Sequence, residues 1–238
     1  MTAICSSLSV DKHRTLPGGT ATAGVLIWNE VTAEGQSAFY QWHNAEHMPE
    51  RMSIPGFIRG RRYASDGAIT QWFTLYEAAS LDVLVSPAYL ERLNHPTPAT
   101  QETLKFFRNT ARSVCLLQRA AGNSVGGYAI VLRFDGLEDT TLNETSFVHA
   151  VKALEAVEAL TGVVSTSLYG AELSASQIAT AESKTRALDV PNFTLLIEVS
   201  HKIAAEQCLG LIKDFDWRSS GLSLRQENSL YSLEVCFG

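Results

Sequence analysis

His43, Glu46, His47 and Glu50 place two imidazoles and two carboxylates on what reads as roughly two helical turns, before Ile54-Pro55-Gly56-Phe57 stops the helix and launches a strand. Residues four apart share a helix face, so His43 and His47 are expected to point the same way, with Glu46 and Glu50 beside that stripe. A neutral imidazole accepts a proton from a carbon acid or hydroxyl and returns it elsewhere, the step that lyases, dehydratases, isomerases and aldol-type enzymes need. A neighbouring carboxylate orients the ring or raises its basicity. The same residues also have plain structural uses. A helix-terminal histidine caps carbonyls and meets the helix dipole, and either glutamate serves equally as a solvated charge or a partner of Arg51.

His43-Asn44-Ala45-Glu46-His47 also has the spacing of inverted zinc peptidases. Zinc requires a third ligand, and Pro49 cuts the helix short of the scaffold such enzymes use, so no metal is expected. Arg59, Arg61 and Tyr63 alternate on one face of the next strand, with Trp72 and Tyr76 expected on its partner. If that face lines a cleft, an arginine anchors a carboxylate or phenolate and the aromatics stack on a ring; if it meets solvent, the arginines are ordinary surface charges. Cys115 and Cys208 sit in apolar patterns and read as buried small hydrophobes. No glycine-rich phosphate loop, dinucleotide fingerprint or G-x-S-x-G elbow occurs, which argues against nucleotide-dependent chemistry.

The elements that must hold these residues follow from period and punctuation. Gly24 to Val31 reads as a strand, Glu34 to Met48 as a short helix ended by Pro49, and Phe57 to Ala64 and Ile69 to Glu77 as a hairpin turned at Asp66-Gly67. Leu81 to Leu93, with Pro87 near its middle, and Thr100 to Phe107 read as helices, and Thr110 to Leu117 as a strand. This βαββαβ order recurs in Tyr128 to Phe134, Glu144 to Leu160, Gly162 to Gly170, Phe193 to Ser200, Lys202 to Ile212 and Leu230 to Phe237. The halves align through Pro55-Gly56-Phe57 to Tyr63 against Thr161-Gly162-Val163 to Tyr169, and Phe73-Thr74-Leu75 against Phe193-Thr194-Leu195. His43 then falls opposite His149, and His47 opposite Ala153. The second hairpin loop is the longer, and its polar stretch from Ser174 to Asp189 suits a mobile flap.

The predicted organisation is a flexible leader over 1–22, rich in Ser, Thr and Gly, then α+β ferredoxin-like units over 23–120 and 121–238. The 238 residues are 45% apolar, ample for a core. A formal charge of −6 with no basic block argues against nucleic acid and against a polybasic membrane anchor, leaving a small molecule as the expected partner. The four cysteines lack C-x-x-C spacing and the N-terminus lacks a secretory pattern, which reads as a reduced, cytoplasmic protein.

The stretch from Trp42 to Tyr63, with Tyr76-Glu77 and Ser86-Pro87-Ala88-Tyr89-Leu90, resembles the dimeric α+β barrel superfamily. More narrowly it is similar to EthD-like proteins, whose first helix ends in a His-x-Pro element, here His47-Met48-Pro49. The resemblance covers residues 24–118 and implies two tandem ferredoxin-like units packed as an intramolecular, pseudo-dimeric barrel with a pocket between sheet and helices in each. It also implies a homodimer. Relatives in that superfamily include cofactor-free cyclases, isomerases and monooxygenases, and also haem proteins. The resemblance therefore implies a cofactor-independent enzyme with His47 as base and then acid, aided by Glu46 or Glu50, acting on a small aromatic or enolisable, polyketide-like compound. Lyase, dehydratase or isomerase chemistry comes first. A cofactor-free monooxygenase, a small-molecule binder without catalysis, and a haem protein using His149 or His201 are the alternatives.

Overall fold

The computed structural model describes residues 11–65, 71–136, 144–185, 188–225 and 230–238. The Asp66-Gly67 turn lies outside the described residues. The chain opens with a hairpin of β1 (Arg14–Leu16) and β2 (Gly19–Ala21). The first unit follows as β3 (Ala23–Val31), a helix in three parts ending at Met52, β4 (Phe57–Ser65), β5 (Trp72–Ala78), helices α3 (Leu81–Leu84), α4 (Pro87–Asn94) and α5 (Pro98–Leu104), and β6 (Phe107–Ala121). The three parts are α1 (Gln36–Trp42), a π turn (His43–His47) and α2 (Met48–Met52). The second unit comprises β7 (Tyr128–Gly136), α6 (Glu144–Glu158), β8 (Val163–Ala171), α7 (Leu173–Ser176), β9 (Phe193–Val199), α8 (Lys202–Lys213), β10 (Leu222–Leu224) and β11 (Leu230–Phe237). No described helix is long and apolar enough to cross a membrane.

Strands pair antiparallel in the order β7-β11-β4-β5-β3-β6-β8-β9, and β9 pairs back onto β7, so the sheet closes into a barrel with β10 appended to β7. Each unit has the same internal order, β4-β5-β3-β6 and β8-β9-β7-β11, and the seams are β4–β11 and β6–β8. Closure leaves no free edge among the eight ring strands, the demand that each unit alone would leave unmet. The order of elements predicts the two tandem ferredoxin-like units, and the resemblance implies their packing as an intramolecular, pseudo-dimeric α+β barrel, as found here.

One strand of the repeat is out of register with its sequence match. Leu26 pairs with Leu75 on β3–β5, and the equivalent pair on β7–β9 is Val131 with Leu196. The match of Leu75 to Leu195 is therefore slipped by one, and a slip of one exchanges faces. Leu75 and Leu196 lie in the barrel, whereas Leu195 packs under the second unit's helices. In the true register Glu77 and Glu198 are equivalent, facing Gly24 and Ala129 respectively.

Those two glutamates are fully buried and organise the barrel interior. Arg61 Nη2 donates to Glu77 Oε2 at 3.0 Å and its Nη1 to Glu198 Oε2 at 2.6 Å, while Arg59 Nε donates to Glu77 Oε2 at 2.7 Å. Arg59 and Arg61 have Ser165 and Ser167 as counterparts in the second unit, and the missing cation comes from the N-terminal hairpin. Arg14 Nη1 reaches Glu198 Oε2 at 3.4 Å and its Nη2 the Thr166 carbonyl at 3.0 Å. Residues 14–21, expected as part of a flexible leader, are thus fixed structure: Pro17 and Gly18 are the corner of a tight turn, closed by the pairing of Leu16 with Gly19. Arg14→Ala removes one of three guanidiniums serving two carboxylates and leaves two for two, so no charge is stranded, and the expected loss is about 1–3 kcal/mol in urea unfolding.

Candidate functional site

The first helix is not ended by Pro49. Proline at that position has no N–H for the Ala45 carbonyl, and its ring would collide with that carbonyl in a regular α-helix. The chain widens into a π turn just before it, with Met48 N donating to the His43 carbonyl, and then continues to Met52. Within that turn the imidazoles of His43 and His47 stack with centroids 5.5 Å apart, and Trp42 lies 4.3 Å from His47. Both histidines are buried.

They form one wall of a cavity between the helices and the outer face of β3, β5 and β6. Asn29, Thr74, Tyr76, Tyr89 and Arg112 form the others, with Arg51 and Glu182 at one side. Counting the gaps between the lining atoms and the open solvent at its mouth, the space is about 530 Å³, of which the centre of a water molecule can occupy about 40 Å³. Glu182 comes from the second unit, on the segment between α7 and β9 read from sequence as a mobile flap. That segment is built onto the first unit: Glu182 N donates to the Leu93 carbonyl at 3.2 Å, and Arg112 N to the Asp189 carbonyl at 2.8 Å. Residues 186–187 of that stretch lie outside the described residues.

Hydrogen bonding fixes the state of His43. Arg62 Nη1 lies 2.9 Å from His43 Nδ1, and a guanidinium only donates, so Nδ1 accepts and the ring proton sits on Nε2. Burial, reinforced by the Arg62 and Arg51 charges, holds the imidazole well below its usual range, so His43 is neutral and presents an N–H. Tyr76 Oη is buried with no hydrogen-bond partner among the described residues, and so is Asn29 Nδ2. Burial pushes the Tyr76 phenol well above its ordinary value despite the Arg51 charge, so it stays protonated and donates. The cavity therefore collects hydrogen-bond donors beside the exposed face of an imidazole pair. A phenol with no protein partner contributes nothing by its hydroxyl to stability, so Tyr76→Phe is expected to leave the urea midpoint unchanged or slightly raised, by up to ~1 kcal/mol, while turnover falls.

Of the residues singled out in the sequence, His43, His47 and Tyr76 are brought together here. Glu46 and Glu50 turn away from the cavity: Glu46 accepts from Thr97 Oγ1, and Glu50 pairs with Arg51 at 3.2 Å and Arg92 at 3.7 Å. Arg59, Arg61 and Tyr63 point into the barrel rather than to this cavity or to solvent, because β4 pairs on both edges and its odd residues face inward. Trp72 shares a face with Tyr76 but packs on Phe39, with centroids 4.6 Å apart, beyond the cavity's end. Asn29, Arg51, Tyr89, Arg112 and Glu182 were not singled out. Asn29 and Arg112 carry a readable signal, each a polar side chain interrupting an apolar strand, whereas Glu182 has none because only the closed barrel brings it near.

The residues offered for haem lie in the second unit. His149 lies edge-on to Phe215 and Trp217, with centroids 5.8 and 5.6 Å away, and His201 Nδ1 accepts from Ala204 N at 3.2 Å as the cap of α8. His149 Nε2 is buried with no hydrogen-bond partner among the described residues, and Phe215 and Trp217 beside it line a cavity with Leu132, Ile212 and Leu222, while Ile130, Leu154, Val157 and Leu195 pack between sheet and helices.

Searches against family models and curated proteins return no match. Solved structures do match. An anthrone oxidase-like protein superposes with a TM-score of 0.61 at 11% identity, covering 95% of this chain and 93% of its own. A putative monooxygenase from Lactobacillus acidophilus NCFM gives 0.53 at 12% identity, covering 90% and 93%. Chlorite dismutase from Candidatus Nitrospira defluvii, in complex with imidazole, gives 0.54 at 11% identity, covering 90% and 91%. At such identities the likeness is one of fold alone.

Proposed function

We propose that the first unit's cavity is an active site in which His47 removes a proton from an enolisable aromatic compound. The observation that carries this reading is the pair of stacked imidazoles walling a cavity into which a buried, partnerless tyrosine hydroxyl also projects. His47 acts as base. The Nε2–H of His43, the Tyr76 hydroxyl and the Asn29 amide donate to the oxygen on which negative charge collects as the carbon is deprotonated. Trp42 and Tyr89 offer apolar faces to the ring.

Two fates are open to the carbanion. Reprotonation at another atom or loss of a leaving group gives isomerase, dehydratase or lyase chemistry; transfer of its electrons to dioxygen gives a cofactor-free oxidase or monooxygenase. The second is favoured by structural neighbours described as anthrone oxidase-like and as putative monooxygenases.

Anthrone, whose methylene is acidified by its ring ketone, is a direct probe of both. Under anaerobic conditions in D2O the protein is expected to accelerate deuterium entry at that methylene, read by proton NMR. A rate equal to that of buffer overturns the reading. Admitting air then separates the fates: uptake of one O2 per anthrone, giving anthraquinone and water with one oxygen atom in each, identifies a monooxygenase, whereas exchange without uptake identifies proton transfer alone.

A further inference from the structure

The charges at the cavity are unevenly paired. Arg51 is held by two carboxylates, Glu50 at 3.2 Å and Glu182 at 2.9 Å. Arg112, half-buried on β6, has a phenol instead: its Nη2 donates to Tyr89 Oη at 3.2 Å, and among the described residues no carboxylate lies within ion-pair distance. The nearest backbone neighbour with an acid, Asp189, gives its carboxylate to Arg225. Around this guanidinium the unspent polar groups are donors, the Tyr76 hydroxyl and the Asn29 amide, and His43 is neutral. Among the described residues, Glu182 is the one carboxylate on the wall.

A site with an unmatched guanidinium and surplus donors is incomplete without an anionic oxygen, because charge-assisted hydrogen bonds in a partly dehydrated setting outweigh neutral ones. We propose that the compound bound here carries one negatively charged oxygen substituent, a carboxylate or phenolate on its ring, seated against Arg112, and that Glu182 restricts the site to monoanions. This rests on the reading of the cavity as the substrate site. Glu182 sets the limit by position: its carboxylate shares the wall with Arg112, so a second negative charge on the ligand meets a like charge across a small space. The selectivity filter therefore belongs to the second unit although the chemistry belongs to the first.

Calorimetric titration with benzoate, benzamide and phthalate tests this on the full chain. Benzoate is expected to bind at least about tenfold tighter than benzamide, phthalate hardly at all. Arg112→Gln is expected to abolish the benzoate preference, bringing benzoate down to the level of benzamide, and Arg112→Lys, which keeps the charge without the fork, to retain part of it. Glu182→Gln is expected to admit phthalate, with at least about a tenfold gain. Equal binding of benzoate and benzamide, unaltered in Arg112→Gln, overturns the anion inference and leaves the cavity reading intact. Binding of neither ring to the wild type overturns both. An unchanged phthalate affinity in Glu182→Gln removes the role of Glu182 alone.

Discussion

His47→Ala is expected to slow deuterium exchange into anthrone by about 10²–10⁴-fold, the usual contribution of a positioned general base. His43→Ala is expected to cost about 10²–10³-fold, as removal of one donor to a developing oxyanion does. The two losses differ in kind. His43 has Nδ1 occupied by Arg62 and is held neutral by burial, so it adds no limb of its own near neutral pH and its removal lowers the rate without changing the shape of the profile there. His47 as base gives the rate its acid limb, so His47→Ala removes that limb as well as the rate. The ring it vacates lies against Trp42 and His43, and added imidazole is expected to restore part of the exchange in His47→Ala and none in His43→Ala. A His47→Ala rate within threefold of wild type assigns the base elsewhere.

The parts of this site legible in the sequence were those written in short-range pattern. His43, His47 and the proline after them sit within one helix, and the βαββαβ order is carried by strand and helix periods that the structure follows to within a few residues. What pattern could not carry was the consequence of closure. Arg59, Arg61 and Tyr63 alternate as a cleft-lining strand would, but alternation fixes only that they share a face; the pairing of β4 with β11 turns that face to the barrel interior. Pro17-Gly18-Gly19 reads as flexible until Arg14 is seen to end on Glu198. Pro49 reads as a terminator because the α-helix cannot hold it, and a π turn is the alternative that keeps the helix going. Glu182 and Arg51 are far apart in sequence and meet only because a loop of one unit roofs the other.

The interior ion cluster makes the second large prediction. Glu198→Gln leaves Arg14, Arg59 and Arg61 with Glu77 as their one carboxylate, in a space where all five side chains are essentially buried. Breaking a buried ion pair from the acidic side strands its cation partners, and the expected loss in urea unfolding is about 3–5 kcal/mol. The same residue shapes the acid response. Although burial opposes its charge, Arg61 and Arg14 bring the Glu198 carboxyl down from 4.5 to about 2. A depressed folded value means that its contribution is fully present above 4.5 and is lost as the pH falls from there towards about 2, because the unfolded chain takes up the proton first. Acidification is expected to weaken the fold earlier too, below the ordinary imidazole value of 6.5, since unfolding lets His43 accept a proton that the folded site refuses. Urea midpoints measured from pH 7 to pH 3 are therefore expected to fall in two stages in the wild type. Glu198→Gln starts lower, keeps the first stage and loses part of the second, where Glu77 and Glu158, also lowered by their arginines, still titrate. A Glu198→Gln protein as stable as wild type at pH 7 would show that the three guanidiniums hold one another without it, and the barrel interior would then have to contain a counter-charge other than these two glutamates.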